Sequence, residues 1–257
     1  METAEKYGLV DCKPMQTPME KNLRLTPALV CDTSLPYHSI IGALLWIARS
    51  TRPDILFAVI YLSGFNSCYD ERHFKAAKRV LRYLVTTVGK KLTFHQMPRD
   101  KEVQLKVYTD SDHASEPDRI SISGSILYLN GCPVSWHCKK QKSVALSSTE
   151  AEYMALSDAT RETLYVYNLV SEIVTVKTPL PVLVDNKGAG YIAENDINNK
   201  LTKHIDIRYH FTRQYIKKKI IELFYVSTAE NVADVFTKPL SPELFTGFAN
   251  KVLRCGP

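Results

Sequence analysis

Two periodicities divide this chain, a helical one before Lys90-Lys91 and an alternating one after it. From Tyr37 to Ala58 the residues are apolar enough for buried helices, broken near Arg52-Pro53-Asp54, where proline removes an amide donor. Residues 70–85 predict an amphipathic helix. Phe74, Ala77, Leu81 and Leu84 recur at helical spacing, and Lys75, Lys78, Arg79 and Arg82 recur on another face. Residues 1–36 read as irregular, because Pro14, Pro18, Pro27 and Pro36 interrupt any long helix.

Beyond residue 90, Val103, Leu105 and Val107 alternate with polar residues and predict a strand ending at Tyr108-Thr109-Asp110. Ser123 to Leu129 predicts a second strand and Pro133 to Cys138 a third, with Asn130-Gly131 as the turn between them. A long helix is predicted from Thr149 to Ile173, with Thr149 and Glu152 as a T-x-x-E capping box at its start. A short apolar strand from Pro181 to Val184 follows, then a helix from about Gly188 to Asn195. A helix from about Asp206 to Lys219 leads into the strand Ile220 to Val226, and a last helix opens near Ala229. Three hairpin strands feeding two crossover units imply an α/β fold: a five-stranded mixed sheet flanked by helices, preceded by a mainly helical segment. The predicted division is residues 1–95 and 96–257.

Bulk composition narrows the classes of function. The 257 residues are 45% hydrophobic and 23% charged, as in an ordinary soluble globular protein. The longest apolar stretch, Ile40 to Ala48, falls far short of the ~20 residues that span a bilayer, so no membrane partner is expected. The polar, acid-bearing N-terminus is unlike a secretory or transit peptide, which predicts an intracellular protein. Six cysteines (12, 31, 68, 132, 138 and 255) form no C-x-x-C pair and read as free thiols. Charge is uneven. Residues 1–100 hold 14 basic and 9 acidic side chains, whereas residues 101–257 hold 19 and 18. A basic first part points towards a polyanion, and the Lys75, Lys78, Arg79 and Arg82 stripe is its natural contact with a phosphate backbone; a solvated face is the plainer alternative.

Carboxylates at element ends carry the candidate chemistry. Asp110 closes the first strand and Asp185 the fourth, and in a sheet of this order those strands run parallel, so both acids emerge at one end. Glu150 lies in the first turn of the long helix, where exposed N–H groups favour an anion, and Asp234 lies in the first turns of the last helix. Four acids converging on one end of a sheet repel each other unless cations neutralise them. Hard divalent ions with oxygen ligands do so, Mg²⁺ being usual in phosphate chemistry. Each acid taken alone has an ordinary reading as a turn former or a helix-start residue.

Several motifs together resemble the ribonuclease H domain of copia-type retrotransposon polyproteins. They are Tyr108-Thr109-Asp110-Ser111-Asp112, Ser147-Ser148-Thr149-Glu150-Ala151-Glu152-Tyr153, Asp185-Asn186, Lys203-His204-Ile205-Asp206 and Ala233-Asp234-Val235-Phe236-Thr237-Lys238-Pro239-Leu240. Upstream, Tyr37-His38-Ser39-Ile40-Ile41-Gly42, Thr51-Arg52-Pro53-Asp54 and Lys78-Arg79-Val80-Leu81-Arg82-Tyr83-Leu84 are similar to that family's segment between polymerase and ribonuclease. The resemblance covers roughly Tyr7 to Leu240, and ordered long motifs are far more specific than one short pattern.

It implies a ribonuclease H fold that cuts RNA paired to DNA, beside an upstream reverse transcriptase part of the polyprotein. The setting it implies is a cytoplasmic virus-like particle or the nucleus. Matched motif by motif, Asp110, Glu150, Asp185 and Asp234 hold two Mg²⁺ ions, with Mn²⁺ as an alternative. Glu152 is the other candidate for the glutamate, set aside because the capping box already employs it. His204 falls where related ribonucleases carry a histidine linked to product release, with a helix-start role as the alternative. Lys139 and Lys140 are candidate phosphate contacts; Asp112 and Asp118 read as turn residues. His113 and Ile120 depart from the family, which usually has tryptophan and a basic residue there, and this bears on substrate fit. The chain has no Asp-Asp pair, so the expectation is that it lacks the polymerase centre. Two alternatives stand beside this reading. One is a catalytically silent transposon remnant that binds nucleic acid. The other is an integrase or transposase, disfavoured because the glutamate lies between Asp110 and Asp185 and not after them.

Overall fold

The computed structural model describes residues 2–95, 102–114, 118–194 and 206–253. His204, and with it the product-release expectation, lies outside the described residues. The chain forms two compact units. One comprises Met1–Thr93 with Lys238–Arg254, the other Phe94–Thr237 with Cys255–Pro257.

The first unit is helical: α1 (Glu2–Lys6), α2 (Tyr37–Ser50), a 3₁₀ turn at Pro53–Ile55, α3 (Leu56–Ser63) and α4 (Glu71–Thr86). Helix α2 buries Tyr37, Ile40, Ile41, Leu44 and Ala48, a helical stripe of core positions. The expected break at Arg52-Pro53-Asp54 is an ion pair inside the core. Asp54, 1% exposed, accepts Arg52 Nε at 2.9 Å and Nη2 at 2.8 Å, and Tyr83 Oη of α4 at 2.6 Å. Arg52 Nη2 also donates to Thr87 Oγ1 at 2.7 Å, so this motif pins the α2–α3 junction to the end of α4.

The second unit opens with an antiparallel meander: β1 (Leu105–Asp112), β2 (Ile122–Leu129) and β3 (Cys132–Lys140). Asn130 and Gly131 both have positive φ, 50° and 80°, as the predicted two-residue hairpin turn requires. Helix α5 (Ser148–Ser171) crosses to β4 (Leu180–Val184), and α6 (Lys187–Glu194) and α7 (Asp206–Lys217) lead to β5 (Ile221–Tyr225). The sheet order is β3-β2-β1-β4-β5, with β4 parallel to both β1 and β5. This is the five-stranded mixed sheet flanked by helices that the segment order predicted. Tyr153, Leu156 and Ala159 of α5 pack on Leu105, Val107, Val182 and Val184, so the core sits between that helix and the two central strands.

Two expectations about elements need correction. The helix expected near Ala229 is a 3₁₀ turn, Val232–Phe236; the next long helix, α8 (Pro242–Leu253), belongs to the first unit. Non-local contacts stop the earlier helix: Asn231 caps Ala233 N at 3.2 Å while giving its Nδ2 to the Thr109 carbonyl at 2.9 Å. The cap of α5 is Ser147, two residues before the predicted Thr149, and its hydroxyl accepts Glu150 N at 3.1 Å. That small shift decides which glutamate reaches the candidate site.

Candidate active site

Asp110 near the end of β1 and Asp185 directly after β4 emerge together because their strands are parallel neighbours. Asp234 joins them from the 3₁₀ turn. One carboxylate oxygen from each of the three lies within 4.8 Å of the others. Asp110 and Asp234 are 2% and 4% exposed, so solvent screens their repulsion poorly.

Glu150 does not enter this cluster. As the third residue of α5, it turns Oε2 back and accepts the amide of Leu146, the residue before the Ser147 cap, at 2.8 Å. Glu152 is the glutamate that lies beside the cluster. Its Oε1 accepts the Ser111 amide at 3.2 Å, one residue beyond Asp110, and its Oε2 is buried without a hydrogen-bond partner. Burial above all, then the charges of Asp110 and Asp185, push the Glu152 carboxyl up to about 9. Relative to the sequence expectation, Glu150 is thus the glutamate that bonds at the start of α5, and Glu152 the one buried next to Asp110 and Asp185.

Hydrogen bonds fix the acids from behind. Thr228 Oγ1 donates to Asp185 Oδ2 at 2.9 Å, and the Thr237 hydroxyl donates to Asp110 Oδ2. These partners, like Asn231, were missed by sequence reasoning, although Thr237 and Asn231 lie within three residues of Asp234. Three clustered aspartates and a buried glutamate oxygen make an all-oxygen donor set that fits a divalent cation such as Mg²⁺.

The expected nucleic-acid contacts fare differently. Of the four expected cations on α4, only Lys75 is exposed; Lys78, Arg79 and Arg82 are half-buried. Lys78 leans over the Phe74 ring at 4.6 Å and lies 3.6 Å from Glu71. Arg79 donates to Glu20 Oε1 at 3.1 Å and Thr17 Oγ1 at 3.2 Å, and Arg82 grips the Lys13 carbonyl at 3.0 and 3.2 Å. The single exposed basic face expected of Lys75, Lys78, Arg79 and Arg82 is therefore absent; both arginines anchor the irregular N-terminal segment. Lys139 is exposed on β3, while Lys140 pairs with Asp118 at 2.9 Å. Asp118 also accepts Ile120 N at 3.0 Å, the turn role expected of it. His113 bonds the Ala145 carbonyl at 3.2 Å, tying the end of β1 to the loop before α5.

No protein-family model matches the chain. The Pol polyprotein of transposon RE1 from Arabidopsis thaliana is 36% identical over 253 residues, 96% of this chain. The chain belongs to the copia-type retrotransposon Pol polyproteins. It spans 17% of that relative's length. A shorter relative, the secreted RxLR effector protein 161 of Plasmopara viticola, is 47% identical over 133 residues, which are 51% of this chain and 92% of that protein. Among solved structures, the N-terminal ribonuclease H domain of a Mycobacterium tuberculosis protein is similar over 58% of this copia-type chain and 98% of its own, with 14% identity and a TM-score of 0.42.

Proposed function

We propose that this copia-type chain is a ribonuclease H that hydrolyses the RNA strand of RNA–DNA hybrids with two Mg²⁺ ions, Mn²⁺ being an alternative. The observation that carries the reading is the convergence of Asp110, Asp185 and Asp234 within 4.8 Å, with Glu152 buried beside them. Those four acids would hold the ions. When bound, two such ions activate a water and stabilise the leaving oxygen of a phosphodiester. The chain's own task is to keep four acids in place: the Ser111 amide orients Glu152, Thr228 orients Asp185, and the parallel strand ends set the spacing. A hybrid is told from duplex DNA by its A-like minor groove and 2′-hydroxyls, with exposed Lys139 a candidate phosphate contact. Residues 1–95 are proposed as the connection from an upstream reverse transcriptase part, which supplies the hybrid and the polymerase centre. The proposed setting is intracellular, in a cytoplasmic virus-like particle or the nucleus.

Cleavage of an end-labelled RNA–DNA hybrid, with Mg²⁺ and with excess chelator, tests the reading. Mg²⁺-dependent cleavage that Asp185→Asn abolishes is expected, because an amide does not supply the charge the ions require. A folded chain that binds the hybrid and leaves it intact at all Mg²⁺ and Mn²⁺ concentrations would instead be the silent nucleic-acid-binding remnant.

A further inference from the structure

The segment Ser227 to Thr237 contributes more to the acidic centre than Asp234. It reaches Asp185 through Thr228, the β1 backbone through Asn231, and Asp110 through Thr237. Thr237 is fully buried, and its hydroxyl also stands 3.2 Å from the Asp234 carbonyl. Its access depends on β2, where Gly124 is the cross-strand partner of Asp110. A Cβ at position 124 would stand 2.7 Å from Thr237 Cγ2, 2.8 Å from Phe236 Cβ and 3.1 Å from the Ala233 carbonyl. Thr237 therefore reaches the aspartate through a gap that only glycine leaves open.

We propose that Thr237 is a positioning residue for the divalent-ion site, seated by Gly124, whose hydroxyl sets the plane of the Asp110 carboxylate. The inference rests on reading the acids as cation ligands. An aspartate's terminal torsion is broad, so a carboxylate crowded by like charges turns away unless something holds it. A hydroxyl suits that task. It donates one hydrogen bond yet adds no positive charge, whereas a lysine or arginine there would neutralise the acid and repel the incoming ion. Loss of such an outer partner lowers metal affinity by about 10–100-fold in comparable sites.

The test is Mg²⁺ affinity of the full chain by titration calorimetry, alongside thermal melting in chelator. Thr237→Val removes the hydroxyl and keeps the volume; Thr237→Ser keeps the hydroxyl. The expected result is that Thr237→Val melts cooperatively without ion yet binds Mg²⁺ about 10–100-fold more weakly, while Thr237→Ser stays near wild type. In an Asp110→Asn background the valine substitution should add nothing further. Three results overturn the proposal: wild-type affinity in a folded Thr237→Val chain, an equal loss in Thr237→Ser, or failure of Thr237→Val to fold in chelator, which would make the hydroxyl a structural requirement. A wild-type chain that binds no divalent ion overturns the ribonuclease reading itself and this inference with it, an outcome distinct from the other three.

Discussion

Glu150 and Glu152 differ by two positions and, in this structure, by everything that matters chemically. Glu150 accepts the Leu146 amide just before the Ser147 cap, so Glu150→Gln should keep most hybrid cleavage and lower stability by no more than about 1 kcal/mol, the usual scale of a cap. Glu152→Gln should remove most cleavage while leaving the metal-free fold intact. Rates and urea melts on the two purified variants check this, and the opposite ranking would restore Glu150 to the site. The sequence left the choice open for a physical reason. Ser147, Ser148 and Thr149 are three successive residues able to cap, followed by two glutamates, so S-x-x-E and T-x-x-E frames both exist. The deciding contact is the Ser111 amide, 41 residues away. Burial and the neighbouring aspartates also give Glu152 a pH signature. The folded chain keeps its proton up to about 9, whereas the unfolded chain releases it near 4.5, so between those values the fold binds more protons. Metal-free stability should therefore fall as pH rises across that window. Mg²⁺ should restore it, with a larger gain in melting temperature at pH 8 than at pH 5; an equal gain at both would separate Glu152 from the ions.

At the scale of elements, local periodicity carried strands and long helices well, because burial on one face repeats every two or every three to four residues. It failed where one non-local contact outweighs local preference. The Val232–Phe236 turn reads as a helix until Asn231 meets the Thr109 carbonyl and the turn meets Gly124. Gly124→Ala should push this turn off the sheet and lower stability by about 1–3 kcal/mol, the usual range for overpacking. Chemical denaturation checks the magnitude, and no change would mean the turn yields freely. Helix α4 fails in the same way: its basic stripe is real in spacing, but the partners of Arg79 and Arg82 lie 59 to 69 residues back. Arg79→Ala with Arg82→Ala should expose residues 13–20 to limited proteolysis while leaving the salt dependence of hybrid binding nearly unchanged. A flattened salt slope would reinstate both arginines as phosphate contacts.

The whole molecule joins a helical unit to an α/β unit, and each has its own stabilising centre. In the helical unit the Arg52–Asp54 pair is buried on both sides. Asp54→Ala strands a guanidinium in the core and should cost about 3–5 kcal/mol, read as a lowered urea midpoint, whereas a joint replacement by apolar residues of similar size should cost far less. That unit is also discontinuous. Residues 238–254 complete it through Phe245, whose ring meets Tyr83 edge-on at 5.6 Å, and through the Leu253 carbonyl, which accepts the Thr93 amide at 3.0 Å. In topological terms the sheet is an insertion within another fold. During vectorial synthesis the first ninety-odd residues must wait, without their closing helix, until the whole inserted sheet has left the ribosome. The α/β unit, contiguous from Phe94 to Thr237, is free to fold in the meantime. A stop codon after Thr237 would consequently spare every acid of the candidate site and deprive the other unit of the piece that closes its core.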